Sequence, residues 1–249
     1  MYSSEPTYSG MDKEAGFNDF SSPEKDYGEI TRMGFIRKVY GILSTQLVLT
    51  FGFILLGQVP AVKSALFSNP GTSMTFFWIA LVLSFVTLIP LACVRAIGRT
   101  VPINYILLFI FTLCESYMLM LCCATYNANV VIAAAALTAA VTVALTIYAF
   151  TTKTDFTWLG GMLFAGICIL IVTGLLFCFL DTKNNNFLYI LYCAAGVFIY
   201  SIYLIYDTQL ISGKFENEFE IDDYVIAAVN VYLDIINLFL YILSILGNK

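Results

Sequence analysis

The chain has 249 residues, 60% of them hydrophobic and 12% charged, with a mean hydropathy of +0.85 and a net charge of −5. Soluble domains carry about 25% charged residues, so this composition excludes a water-soluble globular domain and points to a polytopic membrane protein. No basic cluster stands out and histidine is absent, which argues against nucleic acid as a partner, imidazole acid–base catalysis and most transition-metal sites.

Residues 1–32 are polar, rich in Ser, Glu, Asp, Lys, Gly and Tyr, and interrupted by Pro6 and Pro23. They contain no apolar core of signal-peptide length and too little apolar surface to bury, so we expect a disordered cytosolic tail rather than a cleaved leader. Residues 33–249 read as one transmembrane domain. Seven apolar runs follow one another at about 39–59, 74–95, 103–124, 130–150, 158–180, 188–211 and 224–246. Each is near the roughly 20 residues that span hydrocarbon as a helix. Only helices and closed barrels satisfy their own backbone there, so the fold class is an all-α membrane protein, a bundle of seven transmembrane helices. The seven cysteines fall in or beside these runs with no C-x-x-C spacing, which points to small apolar residues rather than a disulfide framework or a zinc site.

Lys and Arg near the run ends set the orientation. With the amino terminus cytosolic, Arg32, Arg37, Lys38, Arg95, Arg99, Lys153 and Lys214 share the cytosolic side, against Lys63, Lys183 and Lys249 opposite. The last run is the ambiguous one. Its Asn230, Asp234 and Asn237 also suit a re-entrant segment that would leave both termini in the cytosol.

Two acids inside the last two runs carry the functional reading. Asp207 sits in IYDTQLI and Asp234 in VYLDIINLF, with no Lys or Arg in either run to pair with them. An ionisable group inside a membrane helix is costly and marks a functional site by default. Helical spacing places Tyr200, Tyr203 and Asp207 on one stripe, with Gly196 above, and Asn230, Asp234, Asn237 and Tyr241 on another. Such polar stripes should face each other or a wet cavity. Asp207 lies about 6 Å from the end of its run and Asp234 about 15 Å into the next, so tilt or a longer sixth helix must bring them level. Two carboxyls at close range titrate as a coupled pair, and a shared proton would latch the helices together. Glu115 in FTLCESYML is a third intramembrane acid, equally a candidate for a cation path together with Asn230 and Asn237 or a structural partner to a Tyr or Ser hydroxyl. Asp207 and Asp234, with Glu115, amides and water, could hold calcium transiently, but they offer too few oxygens for tight binding. The acidic loop of Glu216, Glu218, Glu220, Asp222 and Asp223 reads as solvated, its last aspartates capping the seventh helix.

Five ordered blocks carry a resemblance: FIRKVYGILSTQL, PINYILLFIFTLCES, LTIYAFTTKTDFT, IYDTQLI and DDYVIAAVNVYLDIINLFLYIL. From about Arg32 to Leu246 the chain resembles the transmembrane BAX inhibitor motif family, with the lifeguard and Golgi anti-apoptotic branches most similar. The resemblance implies a seven-helix protein of endoplasmic reticulum or Golgi membranes. It implies a pH-sensitive calcium leak that lowers store calcium and restrains apoptosis. The family's di-aspartyl sensor then falls on Asp207 and Asp234, its basic latch on Arg99, and the acid of its F-T-x-x-E segment on Glu115. The expected partners are the lipid bilayer, permeating calcium ions, and apoptosis regulators or other calcium channels, with no cofactor and no catalysis. Two alternatives compete. A non-catalytic scaffold would need neither aspartate. An intramembrane aspartyl protease is disfavoured because Asp234 lies in VYLD and not in Gly-x-Gly-Asp.

Overall fold

The computed structural model describes residues 23–179, 186–215 and 219–248. Residues 1–22 of the expected tail, Lys183, Lys249, Glu216 and Glu218 lie outside them. The described chain is helical throughout, without a strand: α1 Pro23–Gln58, α2 Pro60–Ser68, α3 Pro70–Cys93, α4 Arg95–Arg99, α5 Ile103–Ala124, α6 Ala128–Thr151, α7 Gly160–Phe179, α8 Asn186–Ser212 and α9 Tyr224–Gly247. Seven of these contain stretches of 21 to 29 residues long and apolar enough to cross a membrane, and they coincide with the seven runs. Residues 23–32 form the first turns of α1, so this part of the stretch read as a disordered tail is helical.

Local chemistry sets the boundaries. Pro60 and Pro70 stand at the first helical positions of α2 and α3, where a missing N–H is harmless and the fixed φ favours a new helix. The α8 helix ends at Gly213, whose φ of 64° is the left-handed conformation that closes a helix carboxyl end. Neither α2 nor α4 was visible as an apolar run, because each is a short amphipathic connector and not a span.

The α9 helix is the axis of the bundle. It is the most enclosed of the spans, with 67% of its most apolar window buried against 11–44% in the others. Small residues Ala227 and Ala228, both fully buried, let neighbours approach its first turns. Helices α1, α5, α6 and α8 surround it, while α3 lies outside α5 and α7 outside α8. The outer faces present Trp78, Ile79, Val82, Phe164, Ile169 and Val172 outward, an apolar surface suited to lipid. Because α9 is one unbroken 24-residue helix, the re-entrant alternative, which needs a reversal near Asp234, has no counterpart here.

One end of the bundle gathers the amino end of α1, α4, the carboxyl ends of α6 and α8, and the start of α9. Arg32 ties the first of these to α8, donating to the carbonyls of Ile211 at 2.9 Å, Phe219 at 2.7 Å and Leu210 at 2.5 Å. The Lys214 amine donates to the carbonyl of Phe150, and Lys38 lies 5.2 Å from the Tyr224 ring. At the other end Lys63 donates to the Tyr126 carbonyl. The basic residues assigned to a common side are therefore gathered at one end.

Candidate functional site

Antiparallel packing of α8 on α9 brings the two aspartates together. Asp207 is 4% exposed and Asp234 5%, and their carboxyl groups lie within hydrogen-bonding reach of each other. The α8 helix ends at Ser212, one residue past its apolar run, so a longer sixth helix does not level the two acids. Asp234 Oδ2 is buried, and no donor among the described residues reaches it. A carboxylate accepts hydrogen bonds but cannot donate them, so two carboxyls bond each other only with a proton between them. Two unscreened charges here would also meet the full desolvation penalty of the interior. Tyr203 lies close to both acids and Tyr200 close to Asp234.

Consecutive residues on a helix point about 100° apart, and α8 uses that rotation to bind three neighbours in succession. Asp207 faces α9. Thr208, fully buried, lies by the Tyr40 hydroxyl of α1. Gln209, also fully buried, donates from Nε2 to the Thr154 carbonyl at 2.9 Å and accepts at Oε1 from the Phe156 N–H at 2.8 Å. The Asp-Thr-Gln triplet is thus the joint between α8, α9, α1 and the linker before α7. Gln209 was absent from the sequence-based site; three consecutive polar residues in an apolar run were the signal.

Arg99 does not latch the aspartate pair. Its guanidinium grips Asp223 bidentately, Nε to Oδ1 at 2.7 Å and Nη2 to Oδ2 at 2.9 Å, and its Nη2 also reaches Glu220 Oε2 at 2.7 Å. Hydrogen bonding to Asp223, then its charge and that of Glu220, holds Arg99 above its ordinary value, so it stays charged at any working pH. Asp223 occupies the N-cap position of α9 but makes no side-chain capping bond, its carboxylate being turned to Arg99. Glu220 and Asp223 of the acidic loop are therefore ion-paired and not merely solvated, with Arg95 adding a 3.6 Å contact to Glu220. Because these groups are partly exposed, the clamp should be salt-sensitive. Arg99→Gln is expected to lower the melting temperature in low salt and to lose that difference in high salt, as measured by thermal unfolding in detergent. The same variant should leave any pH response of the buried pair intact.

Glu115 belongs to a separate polar seam. It is half-buried on α5 within hydrogen-bonding reach of Ser84 on α3 and near Tyr232 on α9. Alongside it the Tyr232 hydroxyl meets Thr50 Oγ1 at 2.9 Å, Thr50 meets Ser116 at 3.0 Å, and Gln46 donates to Thr112 at 3.0 Å. Among the described residues no three acid, histidine or cysteine side chains converge, so Glu115 does not join the aspartates in one calcium cage. Asn230 and Asn237 are half-buried on the Asp234 helix. Asn237 donates to its own Leu233 carbonyl at 2.8 Å, which commits that donor to the helix.

A bundle of seven helices long and apolar enough to cross a membrane defines a multi-pass membrane protein. Residues 32–249 match the family described as inhibitor of apoptosis-promoting Bax1, and the chain belongs to that family. It is similar to protein lifeguard 3 of Homo sapiens, 32% identical over 238 residues that cover 95% of this chain and 76% of the relative. The Mus musculus lifeguard 3 is 31% identical over 96% of the chain and 76% of its own length. Bax inhibitor 1 of Schizosaccharomyces pombe is 33% identical over 229 residues, 91% of this chain and 81% of the relative.

Proposed function

We propose that this protein is a passive, pH-sensitive calcium leak of an endoplasmic reticulum or Golgi membrane, gated by Asp207 and Asp234, which lowers store calcium and so restrains apoptosis. The anti-apoptotic part rests on the family and on the names of its relatives. The gate rests on one observation, the contact of two buried carboxyls across the α8–α9 interface. When the pair shares one proton, a charge-assisted hydrogen bond ties the helices, a bond roughly twice as strong as a neutral one. Removing the proton leaves two like charges; adding a second leaves a neutral, weaker pair. Either change loosens the tie and frees carboxyl oxygens for a hard cation. The basic end of the bundle faces the cytosol in this reading, following the positive-inside bias.

The test is calcium flux through the purified full chain in vesicles at a series of pH values. Flux that is lowest in an intermediate window and rises on both sides is the expected result. A chain that passes no calcium at any pH would remove the leak. Protection of cells that survives replacement of both aspartates would then assign the anti-apoptotic effect to a scaffold that binds apoptosis regulators or other channels.

A further inference from the structure

On the side of the acid pair away from Arg99, the α8–α9 interface is filled by tyrosines in series. Tyr192, Gly196, Tyr200, Tyr203 and Asp207 fall three and four residues apart, on one face of α8. Tyr241 lies two turns beyond Asp234 on α9 and inserts between them. Ring centroids are 6.1 Å apart for Tyr203 and Tyr200, 5.9 Å for Tyr200 and Tyr241, and 5.6 Å for Tyr241 and Tyr192. The tyrosines from Tyr192 to Tyr203 cover about 16 Å along α8, roughly half of a hydrocarbon core about 30 Å thick.

The rings are seated and not merely adjacent. A Cβ added at Gly196 would lie 2.7 Å from three atoms of the Tyr241 ring, and one at Gly174 of α7 would lie 2.8 Å from the Tyr192 hydroxyl. The two hydroxyls meet at 3.1 Å, and the Tyr192 hydroxyl also donates to the Leu170 carbonyl at 3.3 Å. Phe177 closes on Tyr192 edge-on at 5.3 Å. With the Tyr192 and Tyr241 hydroxyls bonded to each other, the interface beyond the acids is packed ring against ring. Apolar constrictions of this kind stop ions by excluding water.

We propose that Tyr200, Tyr241 and Tyr192 are the closed-state seal of the conduction path, seated by Gly196 and Gly174 and separate from the pH-sensing pair. This rests on the leak reading for what is held back, but the seal itself is testable without it. Full-length protein in vesicles is assayed for calcium flux at the pH where the wild type leaks least. In parallel, a charged methanethiosulfonate is added and modification of the native Cys193 and Cys114, both buried, is read by peptide mass. Cys193 lies near Tyr189 and Tyr241; Cys114 is on α5 and reports loss of the fold.

Tyr241→Ala is expected to raise flux several-fold at that pH, to keep its pH dependence, and to expose Cys193 while Cys114 stays protected. Tyr241→Phe keeps the ring and should behave as wild type in both readouts. Unchanged flux with Cys193 still protected in Tyr241→Ala would overturn the seal. Should Tyr241→Ala expose Cys114 as well, Tyr241→Leu, which keeps apolar volume but not the flat contact on Gly196, decides on the same two thiols. If the wild type passes no calcium, the leak reading fails by itself, and the seal stands or falls on Cys193.

Discussion

Asp234→Ala should give a calcium leak that is high and indifferent to pH, and Asp234→Asn one that stays low and no longer rises at high pH. The two outcomes separate the tie from its titration. An asparagine amide donates to the Asp207 carboxylate without needing a shared proton, so the helices stay linked across the neutral range. An alanine supplies neither charge nor donor, and Asp207 is left buried without a partner. A hydrogen bond to a charged group contributes about 1.5–3 kcal/mol, so its loss corresponds to a roughly ten- to hundredfold change in the ratio of open to closed states. Asp207→Asn and Asp207→Ala should reproduce the same contrast, since either partner can carry the proton. The measurement is initial calcium flux into vesicles between pH 5 and pH 9, normalised to protein incorporated. A wild-type pH profile retained in Asp234→Asn would place the sensor elsewhere, with Glu115 the next acid to replace.

Much of this architecture was legible because a bilayer imposes a strict length and polarity on each helix. The runs at 103–124 and 224–246 match α5 and α9 within a residue, and the polar stripe of Tyr200, Tyr203 and Asp207 does meet that of Asp234 and Tyr241. Helical spacing suffices for that inference. It cannot say which charged groups pair across helices, and there the expectations failed. Arg99 was assigned to the aspartate pair, but Asp223 stands nearer the end of α4 and takes its guanidinium. Glu115 left two readings open, a cation path or a partner to a Tyr or Ser hydroxyl, and the bundle turns it toward Ser84. Arg32 read as one of the positive-inside residues, yet it ties the carboxyl end of α8 to the following loop, through the carbonyls of Leu210 and Ile211 and that of Phe219. Each of these depends on the rotation of one helix about its axis relative to another, which periodicity within a single helix does not specify. The small residues were similarly half-readable. Gly196 was placed on the acid stripe, but only the packed structure gives it a purpose, as the socket of Tyr241.

Tyr232→Ala should be the most destabilising single change in the core, at about 3–5 kcal/mol, with Tyr232→Phe costing about 1 kcal/mol. Tyr232 is fully buried at the centre of α9, with Phe111 edge-on at a centroid distance of 6.1 Å. Its hydroxyl meets Thr50 on α1, which in turn meets Ser116 on α5. In a lipid solvent the transfer of apolar surface drives little, so packing contacts and interhelical hydrogen bonds carry the association. Removing the ring empties a space that three helices share and forfeits its dispersion contacts outright. Removing only the hydroxyl leaves Thr50 still bonded to Ser116, so the loss is a single bond without a stranded partner. Thermal unfolding followed with a thiol-reactive fluorophore would read both, since Cys114 and Cys123 are buried until the bundle opens. At roughly 2–4 °C per kcal/mol, the alanine variant should melt on the order of 10 °C lower and the phenylalanine variant only a few degrees lower. Equal losses in the two would mean that the hydroxyl seam, not the ring, holds α1, α5 and α9 together. In either case the acid pair lies on the α8 side of α9, so Tyr232→Phe should keep its pH response while Asp234→Asn loses the rise at high pH.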